Sequence, residues 1–323
     1  GFPVLIKAVQ DYYDKLGIHY EESDILITTG GSEALQMLML SILDDGSEVI
    51  IPEPFYPNYN TFIKSAGGTI RPLTTSPEGG YRYAFREKLE ALINENTRAI
   101  MFTNPGNPTG VVLTHEELRT IADVAKEHNL FVYGGEQLAT IGQFEDINEN
   151  AVIIDSVSKR FSACGARIGT IITRNKELQQ NLMKFCQARL SVATLDQIAS
   201  AALYSVDSDY FDAVRKEYKL RRDTCYNKLL EIPGVVVKEP QGAFYMMAAL
   251  PVDNADTFQK WLLTDFDDNG DTVMFAPGEG FYATPGKGLN EIRIAYVLKQ
   301  KDLERAMDLL ALGIKKYNET HCK

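Results

Sequence analysis

Between residues 20 and 205, short apolar runs alternate with stretches of amphipathic helical periodicity. The runs are short and nearly continuous in apolar residues, which is typical of strands buried on both faces of a sheet. They lie at 49–51, 99–102, 131–133, 152–154 and 168–172, and the helical stretches between them include 33–43, 115–128 and 176–187. The alternation predicts an α/β fold, a mainly parallel sheet with helices on both faces. Ligands of such sheets bind at the carboxyl ends of the strands.

After residue 205 the pattern changes to that of a smaller α+β domain. Helices are expected at 210–230, 257–266 and 301–317, and strands at 234–237, 242–247, 272–276 and 291–297. A length of 323 residues agrees with about two domains. We expect a large domain at 18–205 and a small domain made of 1–17 and 206–323, with a first helix at 5–16 packing against the small domain.

Composition excludes several classes of protein. The chain has 33 basic and 44 acidic side chains, and this net charge of −11 argues against nucleic acid or an anionic membrane face as a partner. No apolar run approaches the roughly 18 residues of a membrane-spanning helix, and no signal peptide is recognisable. The four cysteines form no CxxC pair and no metal-ligand spacing, so we expect reduced thiols, no metal and a cytoplasmic location.

Most of the chemical information lies at residues 156–169, directly after an apolar strand. The segment reads SVSKRFSACGARIG and includes the hydroxyls of Ser156 and Ser158, the amine of Lys159 and, eight residues later, the guanidinium of Arg167. Ser156, Ser158 and Arg167 can bind a phosphate together, which leaves the amine of Lys159 as a nucleophile. A lone loop lysine is usually a solvated surface charge, but this combination favours a phosphorylated ligand.

SxSK followed by GxRxG resembles the Schiff-base segment of the class I and II aminotransferases, fold-type I enzymes that use pyridoxal 5'-phosphate. Residues 29–35, TGGSEAL, resemble the phosphate-binding turn of that family. This turn is a glycine-rich start of a helix, where free N–H groups and the helix dipole favour an anion. The resemblance implies that Gly31 and Ser32 bind the cofactor phosphate and that Lys159 carries the cofactor.

Three further segments match the same family in the same chain order. PFYPNY at 54–59 resembles a segment whose aromatic residue, here Tyr56, stacks on the cofactor ring. NPGNPTG at 104–110 resembles NPxNPTG, whose second asparagine, here Asn107, bonds the oxygen on the pyridine ring. Near the end of the chain, the resemblance makes Arg293 the residue that binds the substrate α-carboxylate, as a bidentate guanidinium can.

The resemblance covers nearly the whole chain and is strongest to bacterial aspartate-type members. It implies a homodimer that transfers an amino group between an amino acid, aspartate, and 2-oxoglutarate. Small amino and keto acids are then the partners. Two alternatives are left open by the motifs: a pyridoxal-phosphate-dependent lyase on the same fold, and a catalytically impaired binding or regulatory relative.

The chain departs from the family at its D-E-x-Y segment, whose aspartate pairs with the pyridine nitrogen. One alignment puts Gly135 and Leu138 where the aspartate and tyrosine belong. We favour another, in which residues 131–135 match the family's residues after D-E-x-Y and about one strand is absent. The chain also begins Gly1-Phe2-Pro3, without the family's N-terminal arm. Either natural residues are missing here, which the other intact motifs favour, or the molecule is shortened and impaired.

Overall fold

The computed structural model describes residues 1–135 and 140–321. The first part of the chain builds a seven-stranded sheet with its helices. Its elements in chain order are α1 (Pro3–Lys15), β1 (Ile25–Thr28), α2 (Gly30–Ile42), β2 (Glu48–Glu53), α3 (Asn58–Ser65), β3 (Thr69–Thr74), α4 (Arg86–Glu90), β4 (Thr97–Thr103), α5 (His115–Glu127), β5 (Phe131–Gly135), β6 (Ala151–Ser156), α6 (Val157–Arg160), β7 (Gly169–Ile172), α7 (Lys176–Arg189) and α8 (Thr194–Leu203).

The strand order is β1-β7-β6-β5-β4-β2-β3, and the predicted mainly parallel sheet is confirmed. Neighbours from β3 to β6 run parallel, whereas β7 runs antiparallel to both β6 and β1. Alternate residues of β6 belong to different cores. Ile153 shares a buried cluster with Leu118 of α5, while Val152 and Ile154 share another with Leu38 of α2. Both faces of the sheet are therefore covered.

Side-chain bonds to backbone N–H groups mark the starts of α5 and α2. At α5, Thr114 Oγ1 accepts from the N–H of Glu117 at 3.2 Å, and the Glu117 carboxylate accepts from the N–H of Thr114 at 2.8 Å. At α2, the Glu33 carboxylate accepts from the N–H of Thr29 at 2.7 Å, so the helix begins at Gly30, three residues before the predicted start. This places Gly31 and Ser32 in its first turn.

The central position of the sheet is occupied by a strand, and the expectation that about one strand of the family's residues is absent from the chain stays a prediction. Residues Phe131–Gly135 form β5, which pairs from Phe131 to Gly135 with β4 and from Val132 to Gly135 with β6. The chain thus keeps the ladder complete with the apolar residues it has, because unpaired N–H and C=O groups would otherwise be buried. Gly135 ends β5, which does not decide between the two alignments, and Leu138 lies outside the described residues.

The rest of the chain builds a four-stranded antiparallel sheet of order β10-β11-β9-β8. Its elements are α9 (Ser208–Leu230), β8 (Val236–Val237), β9 (Tyr245–Ala249), α10 (Ala255–Thr264), β10 (Ala276–Pro277), β11 (Glu291–Ala295) and α11 (Gln300–His321). The strand predicted at 272–276 is reduced to β10. The preceding residues bond to α10 instead: Thr272 Oγ1 donates to the Leu262 carbonyl and the Phe275 N–H to the Gln259 side chain.

Helix α1 does not pack against the small domain as predicted. Its buried residues Leu5, Val9 and Tyr13 share a cluster with Ile27 and Ile153 of the large sheet, not with the core of the four-stranded sheet. The apolar face of α1 packs against this cluster, and the Tyr13 hydroxyl also donates a hydrogen bond to Asp155 of β6. The domain boundaries at 18–205 and 206–323 otherwise remain a prediction. Within residues 1–135 and 140–321, no helix has the length and apolar content to cross a membrane.

Candidate active site

The first turn of α2 and the guanidinium of Arg167 lie together. Gly30 has a φ of +75°, which favours glycine, and a Cβ placed on it would lie 2.5 Å from Nη2 of Arg167 and would displace the guanidinium. Arg167 has a φ of +52°, and its Nη1 donates to the carbonyl of Cys164 at 3.1 Å. Gly31 and Ser32 lie in the first turn of α2, where backbone N–H groups have no partner within the helix, and such groups together with a guanidinium can bind an anion.

Lys159 lies on α6, which follows β6 directly. Its side chain is exposed, and its Nζ lies 3.8 Å from Sγ of Cys164 and 5.7 Å from the centre of the Phe244 ring. The Cys164 thiol donates to the carbonyl of Ser158 at 3.2 Å. Cys164 therefore contacts Lys159 through its thiol and Arg167 through its carbonyl, and it brings the predicted nucleophile beside the predicted phosphate site.

A buried ion pair flanks Lys159, and the sequence reasoning did not include it. Asp155 and Arg160 approach to 2.6 Å with side chains only 2% and 5% exposed. The Asp155 carboxylate also accepts from the hydroxyl of Tyr13 at 3.2 Å and from the N–H of Ser156 at 2.6 Å. Burial, and then the Asp155 charge, raise the pKa of Tyr13 well above its usual value, so it remains a donor. The sequence shows opposite charges on either side of SVSK, but this pattern by itself does not show that the pair is buried.

Asn107 and Arg293 meet although 186 residues separate them. Nη1 of Arg293 donates to Oδ1 of Asn107 at 3.3 Å. The N–H of Asn107 is fixed by Oγ1 of Thr103 at 3.2 Å. The guanidinium lies 4.6 Å from the Tyr245 ring centre and 5.0 Å from that of Phe281. Its Nε is buried and has no hydrogen-bond partner within the described ranges, so this donor remains free for an anionic ligand.

Two buried carboxylates form hydrogen bonds that connect the segment before β11 to the large domain. Neither was predicted from the sequence. Glu53, at the end of β2, accepts from the N–H groups of Ala283 and Thr284 at 3.1 Å each and from Oγ1 of Thr284 at 2.7 Å. Glu291 accepts from the hydroxyls of Tyr81 at 2.8 Å and Tyr282 at 2.7 Å, and burial raises its pKa. Glu291 lies two residues before Arg293, so these bonds locate its strand.

The remaining predicted residues are less closely joined. Tyr56 is half-buried, its hydroxyl accepts from Nδ2 of Asn58 at 2.9 Å, and its ring meets Tyr59 edge-on at 5.5 Å. Ser156 and Ser158 are half-buried and flank the start of α6, on the same turn as Lys159. The structure therefore groups Lys159 with the phosphate candidates and Asn107 with Arg293, whereas Tyr56 contacts its own segment.

These residues fit pyridoxal phosphate. The Gly30 backbone leaves room for Arg167 but none for a Cβ, which makes a compact cradle for a phosphate. The exposed amine of Lys159 can reach an aldehyde, and the side-chain amide of Asn107 can bond a ring oxygen. Gly135, at the end of β5, has no carboxylate, and which residue, if any, stands in place of the family's aspartate stays a prediction. Among the residues that the structure describes, no group of His, Cys, Asp and Glu forms a metal site.

Comparisons with known proteins agree with this geometry. The family model described as "Aminotransferase class I and II" matches residues 1–310. The chain is 31% identical to an aspartate aminotransferase of Bacillus subtilis over 94% of this chain and 78% of that protein. It is 32% identical to an aspartate aminotransferase of Pyrococcus horikoshii, covering 95% and 80%. It is 31% identical to a probable N-acetyl-LL-diaminopimelate aminotransferase of Bacillus subtilis, covering 99% and 81%.

Solved structures lead to the same family. An alanine aminotransferase from Pyrococcus furiosus superposes with a TM-score of 0.88 at 28% identity, covering 98% of this chain and 82% of that one. An aromatic aminotransferase from Pyrococcus horikoshii superposes equally well, at 0.88 and 27% identity, covering 98% and 87%. The similar proteins share a fold and a reaction type but differ in the amino acids in their names.

Proposed function

Because this chain belongs to the class I and II aminotransferases, enzymes that use pyridoxal 5'-phosphate, we propose that Lys159 is the residue that carries the cofactor and moves the proton in its reaction. The observation that supports this most directly is the contact of Lys159 with Cys164, whose carbonyl in turn accepts from Arg167. The amine of Lys159, the proposed nucleophile, therefore lies close to Arg167, the proposed phosphate ligand. When bound, the cofactor supplies an electrophilic carbon and an electron sink.

The cofactor phosphate is bound, in this proposal, at the first turn of α2 and by the residues around α6. The N–H groups of Gly31 and Ser32 and the guanidinium of Arg167 supply donors, and the hydroxyls of Ser156 and Ser158 add two more. The positive φ of Gly30 supports this assignment, since it lets Arg167 approach the α2 terminus. Holding the phosphate fixes one end of the cofactor relative to the Lys159 amine.

The other end is oriented by Tyr56 and Asn107, and the substrate is bound by Arg293. Asn107 is pre-positioned by Thr103, and its contact with Arg293 links ring orientation to carboxylate binding. The free Nε of Arg293 supports its role as a carboxylate ligand, because a buried donor without a partner is costly until a ligand satisfies it. With the substrate held there, Nζ of Lys159 can take the proton from the substrate Cα.

We propose aspartate as the amino donor and 2-oxoglutarate as the acceptor. Support comes from the two relatives named aspartate aminotransferase that are 31% and 32% identical to the chain. Mixing the aldehyde form of the enzyme with aspartate or glutamate and recording the absorbance of the pyridoxamine form tests transamination. Conversion by both supports the pair, and conversion by other amino acids alone corrects the substrate. With cystathionine, which has a thiolate leaving group on Cβ, release of homocysteine, pyruvate and ammonia without formation of pyridoxamine would identify a lyase.

We propose further that two copies of the chain form a homodimer in the cytoplasm. The end of α7 and the outer face of α8 expose large apolar side chains: Leu190 is 76%, Leu195 82% and Ile198 44% exposed. Leu195 and Ile198 are three residues apart, so they share one face of α8. A grouped apolar surface of this kind favours a protein partner. Cys164, Cys186 and Cys225 are free thiols, which supports the cytoplasmic location.

A further inference from the structure

We propose that Tyr13, Asp155 and Arg160 form a clamp that positions Lys159, with α1 as its support. The inference rests on the proposed role of Lys159. Asp155 is the next-to-last residue of β6 and Arg160 the last residue of α6, so their ion pair joins the two ends of the SVSK turn. Because this ion pair bridges the turn, it restricts the backbone conformations of the segment that carries the Lys159 side chain.

Both oxygens of the Asp155 carboxylate are used in this clamp. One oxygen accepts from the backbone N–H of Ser156 at 2.6 Å. The other accepts from the Tyr13 hydroxyl at 3.2 Å and pairs with Arg160 at 2.6 Å. The carboxylate therefore joins three points, namely the start of the turn, its end, and helix α1.

Helix α1 also contacts the other member of the pair. The Arg160 guanidinium lies 4.2 Å from the ring centre of Tyr12, a distance at which a cation is attracted to the ring face. Tyr12 and Tyr13 are adjacent, so one turn of α1 holds Asp155 by a hydrogen bond and Arg160 by stacking. Tyr13 and Asp155 are 142 positions apart in the chain, so this support exists only in the folded protein.

Stability alone does not account for this arrangement. Desolvating two charges is costly, and well-packed apolar residues of similar size are often equally stabilising. Arg160 also leaves Nε and Nη1 buried without a hydrogen-bond partner in the described part of the chain. The pair fixes the conformation of the turn, because any conformation that separated Asp155 from Arg160 would leave two buried charges without a partner. The location one residue from Lys159 makes that geometry relevant to the nucleophile.

The test compares Tyr13→Phe with Tyr20→Phe in the full chain. Tyr20 is buried in the same aromatic cluster, 5.3 Å from Tyr13 between ring centres, and its substitution leaves the Asp155 contacts intact. Hydrogen exchange of residues 156–161 is measured with and without added pyridoxal phosphate, together with kcat and KM for transamination. We expect faster exchange at 156–161 in Tyr13→Phe in both conditions and a kcat lowered about tenfold, as for loss of a hydrogen bond to a charged group. The KM for the keto acid should be unchanged, and Tyr20→Phe should match the wild type.

A second variant, Arg160→Lys, separates the positioning of Lys159 from a general loss of stability. Arg160→Lys keeps the charge but loses the planar guanidinium, so it should raise the exchange rate at 156–161 above that of the wild type, at an unchanged KM. Wild-type exchange and kcat in both Tyr13→Phe and Arg160→Lys would overturn the clamp. So would an equal change in Tyr20→Phe. Failure of the proposed function looks different: cofactor attachment would survive Lys159→Ala, whatever the exchange rates at 156–161.

Discussion

Arg293 of the four-stranded sheet donates at 3.3 Å to Asn107, in the turn after β4 of the large sheet, and this bond joins the proposed carboxylate ligand to the proposed ring ligand. The two residues come from segments that are far apart in the chain. If these proposed roles hold, the position of β11 affects the binding of both substrate and cofactor. Substituting Arg293 should therefore separate its effect on substrate binding from its effect on the cofactor.

Arg293→Ala should raise the KM for amino and keto acids far more than it alters the absorbance of bound cofactor. Removing one partner of a desolvated guanidinium–carboxylate pair costs about 2–5 kcal/mol. Half-reactions with aspartate or glutamate measure the effect. Arg293→Lys should rescue poorly, because a point charge does not reproduce the planar fork. Equal conversion by the wild type and Arg293→Ala would remove Arg293 from the site.

Lys159→Ala should abolish covalent attachment of pyridoxal phosphate. Borohydride reduction followed by peptide mass spectrometry locates the modified lysine in the wild type, where we expect it at Lys159. Lys184→Ala is a suitable control, since this lysine is exposed on α7 and bonds to Asn181. A modified lysine elsewhere in the wild type, or a yellow Lys159→Ala protein with a reducible bond, would contradict the assignment.

Arg167→Ala should weaken cofactor binding by about 2 kcal/mol, a typical contribution of a hydrogen bond to a charged group. The guanidinium lies beside Gly30 and donates to a backbone carbonyl, and a phosphate is the anionic partner we expect for it. Fluorescence titration with pyridoxal phosphate measures the affinity. Arg98→Ala, which removes an exposed arginine bonded to Glu95, should leave the affinity unchanged. Unaltered affinity in Arg167→Ala would make Arg167 a structural residue.

Glu291→Gln should change how stability depends on pH. Burial raises the pKa of Glu291 above its usual 4.5, so the folded state binds the proton more tightly than the unfolded state. The stability from this group is fully present below about pH 4.5 and is lost as pH rises through the raised pKa. The wild type should therefore lose stability relative to Glu291→Gln as pH rises from 4.5. Urea unfolding at several pH values tests this, and parallel pH curves would refute it.

Leu195→Asp should weaken the proposed dimer, because it places a charge on an apolar surface that is 82% exposed in one chain. Sedimentation at micromolar concentration measures the mass. Leu263→Asp, on α10 and 52% exposed, serves as the control and should leave the mass unchanged. A wild type that sediments only as a monomer would contradict the homodimer.

Local patterns explain why much of this protein was predictable. Apolar periodicity over 49–51, 99–102 and 152–154 reflects strands whose two faces are both buried, and such runs need no distant information. Each of the segments 104–110 and 156–169 is an unbroken run of residues. The motifs that contain Asn107 and Lys159 can therefore be read directly from the sequence. The amino acid sequence by itself therefore determined the sheet class, the main helices and the candidate ligands.

The tertiary structure decided which residues support those ligands. It placed α1 beside the Lys159 turn, filled the central strand with Phe131–Gly135, and brought Glu53 to Thr284 across 231 residues. These outcomes depend on which buried groups can pair over long sequence separations, and burial of a charge is decided by the whole packed surroundings. No local pattern distinguishes an Asp155 that pairs with Arg160 in the core from one that faces water, since only packing removes the solvent.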